Sequence, residues 1–264
     1  MTSLNFTDSG QSEPAVVFVH GFTCDHSDWD EQVAPLSRHH RCLAVDLPGH
    51  GASPQSAPDI TVLAQAVVDT IRAAGIGKAV LVGHSMGCRV ISAAYTQAPE
   101  LVSGLVYVDG SLLPQGDRET AMRVMDQHVV AAGWEAFLEK AYEGFFIAST
   151  SQAVRDFVNA RRPRIDPVFH RRLAVNMAGW DAAQLRETLR TIRVPVLAIQ
   201  STMLDEKLRH VAIQPGLETS WTAALREDVP GARLEIVPAG HFTMLEAPAR
   251  TTALIAGFVE ELRV

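Results

Sequence analysis

Short runs of β-branched and aliphatic residues alternate along this chain with longer segments of helical period, and no other feature restricts its fold as much. The runs are Ala15–Val19, Arg41–Val45, Ala79–Val82, Leu105–Val108, Val194–Ile199 and Arg233–Val237. Nearly continuous apolar character is expected of strands covered on both faces, whereas a strand with one wet face alternates. Between the runs, Ile60–Ala74 carries Ile60, Leu63, Val67 and Ile71 at helical spacing and closes on Gly75, with further helices expected at Met86–Gln97 and Thr251–Leu262. The pattern predicts an α/β protein with a mainly parallel sheet of seven or eight strands flanked by helices. The stretch 112–191 breaks it, holding no convincing strand. Helices are expected there at Arg118–Ala131, Trp134–Phe146, Ser151–Arg161, Pro167–Met177 and Ala182–Leu189. This is a helical insertion, expected to lie over the sheet as a cap, which divides the chain into core 1–111, cap 112–191 and core 192–264.

Composition removes several classes of function. A chain of 264 residues that is 47% hydrophobic and 20% charged is neither disordered nor a disulfide-stapled miniprotein. With 23 basic against 30 acidic residues, the net charge of -7 repels phosphate backbones and anionic lipid. Neither nucleic acid nor membrane is therefore expected as a partner; a small molecule is, for a monomer or homodimer. Cys24, Cys42 and Cys88 are odd in number and lack CxxC or Cys/His spacing, so a reducing cytoplasmic location is expected, without structural zinc. The segment Met1–Asp8 has no basic region followed by an apolar stretch, and no run reaches the roughly 18 apolar residues of a membrane span, so a soluble, unexported chain is expected.

The most specific motif is Gly83-His84-Ser85-Met86-Gly87, set directly between a strand and a helix. A serine nucleophile there sits on a strained turn that small flanking residues allow neighbouring chain to approach. A glycine-rich turn with a helix-capping serine is the plainer reading of the same residues. The hydroxyl needs a base, and His241 in Pro238-Ala239-Gly240-His241-Phe242 follows the last strand, opening on the same sheet edge. An oxyanion needs two amide donors. Met86 supplies one and the loop after the first apolar run, through Phe22, the other, with His20 and Gly21 shaping that loop.

With His20-Gly21-Phe22, the turn Asp46-Leu47-Pro48-Gly49-His50-Gly51, the Gly83–Gly87 elbow and Gly240-His241-Phe242 in this order, the sequence resembles the α/β-hydrolase superfamily over essentially its whole length. The resemblance implies a cap between the sixth and seventh strands. It also separates Gly49-His50-Gly51 from a dinucleotide loop, since no helix with a third glycine follows. The N-terminus is short for the family, with only Leu4–Thr7 available as an edge strand, so the sheet is expected to be a strand shorter. Much of the family places its triad acid in a Gly-x-x-Asp turn after the cap. Here that strand runs into Gln200-Ser201-Thr202-Met203-Leu204-Asp205, without the glycine and with the aspartate late. Some branches use the end of the strand before the cap, where this chain has Asp109; Asp109 is favoured over Asp205, and both stay open.

For the pocket, Trp134, Phe137, Phe145 and Phe146 from the cap and His26 and Trp29 from the first loop are the candidate substrate contacts, while Cys88 reads as small apolar filling. Arg161, Arg162, Arg164, Arg171 and Arg172 form a basic cluster that is either a solvated cap face or a dock for an anionic acyl carrier, and His39-His40 reads as surface. Together these features point to a serine hydrolase acting on a small apolar carboxylic ester, with a thioester or lactone as variants, needing no metal or organic cofactor. Two alternatives stand beside it. One keeps the fold and changes the chemistry, to a cofactor-free oxygenase, perhydrolase or carbon–carbon bond hydrolase, with His26 beside Asp25 in its favour; the other is a non-catalytic receptor.

Overall fold

A computed structural model describes residues 4–113, 116–214 and 216–262; the remaining ends of the expected core segments, residues 1–3 and 263–264, and positions 114, 115 and 215 lie outside the described residues. The chain opens with strand β1 (Phe6–Ser9), β2 (Ala15–Val19), helix α1 (Asp30–Leu36), β3 (Cys42–Val45) and α2 (Ile60–Ala73). Strand β4 (Ala79–His84) leads into α3 (Met86–Gln97), and β5 (Val102–Val108) follows. Then come α4 (Arg118–Ala132), α5 (Trp134–Phe145), α6 (Gln152–Asn159), α7 (Pro167–Trp180) and α8 (Arg186–Thr191), with a π-helical turn at Asp181–Leu185 joining the last two. Strand β6 (Val196–Gln200), a small hairpin of β7 (Thr202–Leu204) and β8 (His210–Ala212), α9 (Ser220–Asp228), β9 (Arg233–Ile236), α10 (Thr243–Glu246) and α11 (Pro248–Glu261) complete it.

Seven strands form one sheet in the order β1-β3-β2-β4-β5-β6-β9, parallel except for β1, which runs antiparallel to β3. The sheet has its shorter N-terminal edge, so the helical stretch falls between this chain's fifth and sixth strands, one earlier than the expected count.

Strand alternation divides the core between the two faces of the sheet. Ala15, Val17 and Val19 of β2, Leu81 of β4 and Tyr107 of β5 pack with α2, α3 and α9 on one face. Val16, Phe18, Val82 and Val108 pack with α1 and α11 on the other. Burying each large aliphatic side chain contributes about 1.5–3 kcal/mol, which explains why the centres of these strands are apolar. β9 is the exception: Leu234 and Ile236 are half exposed at the sheet edge, and Arg233 and Glu235 pair with Glu261 and Arg250. Its charged alternation in sequence belongs to an edge, not to a strand covered on both faces.

The chain order places the site. From β2 the sheet grows one way to β3 and the other way to β4, so the loops leaving β2 and β4 diverge and open a crevice at their carboxyl ends. No helix among the described residues is long and apolar enough to cross a membrane.

Candidate active site

Ser85 stands between β4 and α3 with φ 53° and ψ −114°, in the left-handed region that costs a residue with a Cβ roughly 1–3 kcal/mol. The surroundings leave the turn no other shape. A Cβ on Gly83 would lie 2.5 Å from the Gly87 carbonyl oxygen, and one on Gly87 would lie 2.4 Å from the Val19 carbonyl oxygen. The Ser85 amide donates to the Val108 carbonyl at 3.0 Å, tying the turn to the end of β5. The side chain is thereby held at the sheet's carboxyl edge, half buried.

His241 reaches the serine from the loop after β9. The Ser85 hydroxyl and His241 Nε2 are 3.1 Å apart, and His241 Nδ1 donates to Asp109 Oδ2 at 2.7 Å. His84, the second residue of the elbow, donates from Nε2 to the His241 carbonyl at 2.9 Å and so ties down the His241 backbone. Burial, with the Arg89 charge adding to it, lowers the pKa of His241, leaving a neutral ring whose Nε2 can accept a proton.

Asp109 is fully buried at the end of β5. Its Oδ1 accepts from the amides of Ser201 (2.8 Å) and Thr202 (2.7 Å) and from Gln200 Nε2 (3.1 Å), while Oδ2 accepts from the Thr202 hydroxyl (2.5 Å) as well as from His241. Burial pushes its pKa upward, and these donors oppose that by favouring the anion. Asp205 is elsewhere: its carboxylate accepts from Arg209 Nε and Nη2 and from the amides of Lys207 and Arg209, which hold its pKa down at about 2. Asp205 is not brought to His241, because the chain after β6 folds into the β7–β8 hairpin and Asp205 closes that hairpin's turn.

The two amides expected to serve an oxyanion follow the carboxyl ends of β2 and β4. Phe22 lies in the turn after β2 and Met86 opens α3, and neither N–H has a hydrogen-bond partner among the described residues. The loop is shaped from within: His20 donates from Nδ1 to the Gly21 carbonyl and accepts at Nε2 from the Leu47 amide.

The remaining expected residues separate into two groups. Phe145 packs against His241 with ring centroids 5.6 Å apart, Phe145 and Phe146 both meet Phe242, and Trp134 and Phe137 stack on each other at 5.8 Å, all of them half buried. Trp29 is different. It has no exposed surface and packs on Phe18 beneath the sheet, so its expected role in the pocket is corrected to one in the core. His26 is a loop fastener, its Nδ1 and amide both donating to Asp46 Oδ1 at 2.8 Å.

The basic cluster also resolves. Arg161 is buried against Asp25 and Asp28, Arg164 pairs with Asp25, Arg171 pairs with Asp126, and the Arg162 guanidinium lies over the Tyr142 ring. Arg161 and Arg164 join the helical stretch to the first loop and Arg171 ties α7 to α4, while Arg172 is exposed. His40, expected at the surface, is buried, and its ring meets Glu260 at 3.2 Å.

Sequence reasoning missed His210 and Thr202. The His210 ring stacks on His241 with centroids 3.6 Å apart and an interplanar angle of 25°, and its Nδ1 is 2.7 Å from the Thr202 hydroxyl. Among the described residues, Asp109, His210 and His241 are the only group to bring three ligand-type atoms within 4.8 Å of one another. Both Nδ1 atoms of this group are hydrogen-bonded, that of His241 to Asp109 and that of His210 to Thr202.

The chain is similar to known proteins over nearly its whole length. Over 98% of its length the chain is 28% identical to a 2-(acetamidomethylene)succinate hydrolase from Mesorhizobium japonicum, covering 92% of that protein. It is 27% identical to a pimeloyl-[acyl-carrier protein] methyl ester esterase from Nitrosomonas europaea, across 94% of this chain and 96% of that one. Among solved structures, the enol-lactonase from Burkholderia xenovorans superposes with a TM-score of 0.77 at 24% identity, covering 97% of this chain and 96% of the other. The sequence profile of one family matches residues 16–254, a span that takes in the loop after β2, the elbow and His241, and by that match the chain belongs to the alpha/beta hydrolase family.

Proposed function

We propose that this protein is a serine hydrolase that cleaves small apolar carboxylic esters, thioesters or lactones through an acyl-enzyme. One observation carries the reading: a continuous chain from the Ser85 hydroxyl through His241 to Asp109, at 3.1 and 2.7 Å, begins on a strained strand-to-helix turn. Ser85 Oγ attacks the carbonyl carbon as His241 Nε2 takes its proton. Asp109 holds the ring's other nitrogen and stabilises the imidazolium without taking the proton itself. The Phe22 and Met86 amides hold the oxyanion, aided by the start of α3. Collapse of the tetrahedral intermediate expels the leaving group with the proton from His241. Water then attacks the acyl-enzyme with His241 again as base, and the acid leaves.

The helices of 112–191 serve in this reading as a cap over the site, with Phe145 and Phe146 beside His241 and Trp134 and Phe137 further out giving an apolar wall. The full-length likeness to a methyl ester esterase supports an ester as the substrate class. The oxygenase alternative has less in its favour, because His26 is committed to Asp46 and Asp25 to Ser27 and Arg161.

The test is intact mass after exposure to a small fluorophosphonate, with Ser85→Ala treated in parallel, followed by hydrolysis of p-nitrophenyl acetate and butyrate. A single adduct absent from the variant, with ester turnover lowered by several orders of magnitude in Ser85→Ala (on the order of 10³-fold or more), is expected. Folded protein that takes no adduct would point to the receptor reading; equal ester turnover in the two proteins would remove Ser85 from the chemistry.

A further inference from the structure

We infer that Thr202 and His210 are positioning residues for the base, joined to Asp109 and His241 in one directional hydrogen-bond chain. The inference rests on the proposed serine-hydrolase reading and extends its machinery to a hairpin that contributes neither nucleophile, base nor acid.

The direction of the chain follows from counting hydrogens. Asp109 as a carboxylate can only accept, so at 2.5 Å the Thr202 hydroxyl must be the donor. A hydroxyl has one hydrogen. At its 2.7 Å contact with His210, Thr202 therefore accepts, and His210 carries its proton on Nδ1. The order is His210 Nδ1–H to Thr202 Oγ1–H to Asp109 Oδ2, which also accepts from His241 Nδ1–H. Oδ2 is thus held from two sides, and its position decides where the base points.

The hairpin is built for this placement. Thr202 pairs with Ala212 across the β7–β8 ladder, which leaves His210 diagonal to Thr202 on the same face. The amides of Ser201 and Thr202 bind the other Asp109 oxygen, so the turn from β6 into β7 grips the whole carboxylate. The stack adds a second effect. When His241 takes the serine proton it becomes a cation, and a neutral imidazole face at 3.6 Å attracts a cation, whereas a protonated His210 would repel it. Around the two rings stand Asp109 from β5, His84 from β4, Arg89 from α3 and Glu246 from α10, with Phe145 of α5 over their outer edge. Burial and the neighbouring His241 keep His210 neutral, lowering its pKa well below the ordinary histidine value.

The rate of phosphonylation by a fluorophosphonate tests this without knowledge of the natural substrate. In that step the Ser85 Oγ–P bond forms, the P–F bond breaks, fluoride leaves and the serine proton passes to His241. The second-order rate constant is measured from pH 4.5 to 9 for wild type, Thr202→Val, Thr202→Ser, His210→Phe and the Thr202→Val/His210→Phe double variant, with folding checked by circular dichroism. Thr202→Val and His210→Phe are each expected to lower it about tenfold to a hundredfold, the cost of a base misplaced by a fraction of an ångström. Thr202→Ser keeps the hydroxyl and stays within about threefold of wild type. The double variant is no slower than the slower single one, because both cut the same chain. Removing the Thr202 donor also leaves Asp109 a stronger partner for imidazolium, so the acid limb of the Thr202→Val profile moves to higher pH.

Single variants within about twofold of wild type, losses that multiply in the double, or a serine variant as slow as the valine one overturn the inference. If Thr202→Val does not fold, His210→Phe and Thr202→Ser carry the same contrast. Wild type that is not labelled at all overturns the serine-hydrolase reading and this inference together; labelled wild type with unaffected variants overturns this inference alone.

Discussion

Asp109 and Asp205 are the same residue type in opposite settings, one fully buried among amides, a hydroxyl and an imidazole, the other at an exposed hairpin turn beside Arg209. If Asp109 orients the base, Asp109→Asn presents His241 with an amide that cannot accept in the same way and favours the wrong tautomer. Its ester turnover is expected to fall by about 10²-fold or more, while Asp205→Asn stays within about twofold; steady-state kinetics on p-nitrophenyl butyrate separate the two. Ser85 and His241 were legible as candidates because the proposed chemistry imposes local rules, glycines at fixed offsets around Ser85 and a histidine in the loop after the last strand. His210 obeys no such rule. It lies on a strand of three residues, too short for periodicity to distinguish from a loop, and its partner Thr202 is an ordinary threonine until the hairpin turns it toward Asp109.

At the level of elements, two buried arginines fasten the helical stretch to the core. Arg89 of α3, one turn past Ser85, donates from Nε and Nη2 to Asp181 at 2.7 and 2.6 Å, and also reaches the carbonyls of Ser111 and Ser85. Asp181 opens the π-helical turn between α7 and α8, with no exposed surface, and accepts from the Leu113 amide as well. Arg161 does the same at the other side, against Asp25 and Asp28 in the first loop, where Tyr142 also donates to the Thr23 hydroxyl. A buried ion pair adds little over well-packed apolar residues, but removing one partner strands the other charge. Arg89→Ala is therefore expected to lower stability by about 3–5 kcal/mol in urea denaturation, and Arg89→Met/Asp181→Leu to recover most of it. A double variant no more stable than Arg89→Ala would contradict this account. Along the chain these arginines stand out only as charges; periodicity placed α4 to α8 within a residue or a few, yet could not tell a solvated face from a buried bolt, because pairing depends on what lies opposite.

For the molecule as a whole, the concentration of buried histidines links folding to pH. His20 is lowered to about 4 and His84 to about 3, chiefly by burial, and burial likewise lowers His50, His210 and His241. Above the ordinary histidine value both folded and unfolded chains hold these rings neutral, and stability is complete. As pH falls below about 6.5 the unfolded chain binds protons that the folded one refuses, so stability declines toward the lowered folded values. The Tm in calorimetry is expected to drop steadily from pH 6.5 to 5, before carboxylates titrate; a flat Tm over that interval would contradict the burial of these rings. The order of short apolar runs and helical segments, the strained serine turn and the histidine after the last strand were determined by the sequence itself, since strand burial, backbone strain and chain order are local properties. Which carboxylate meets His241, that Trp29 belongs to the core and Arg161 to a buried pair, and that a hairpin brings His210 onto His241 were decided only by the tertiary structure, because each depends on contacts between residues whose separation along the chain carries no signal of their meeting.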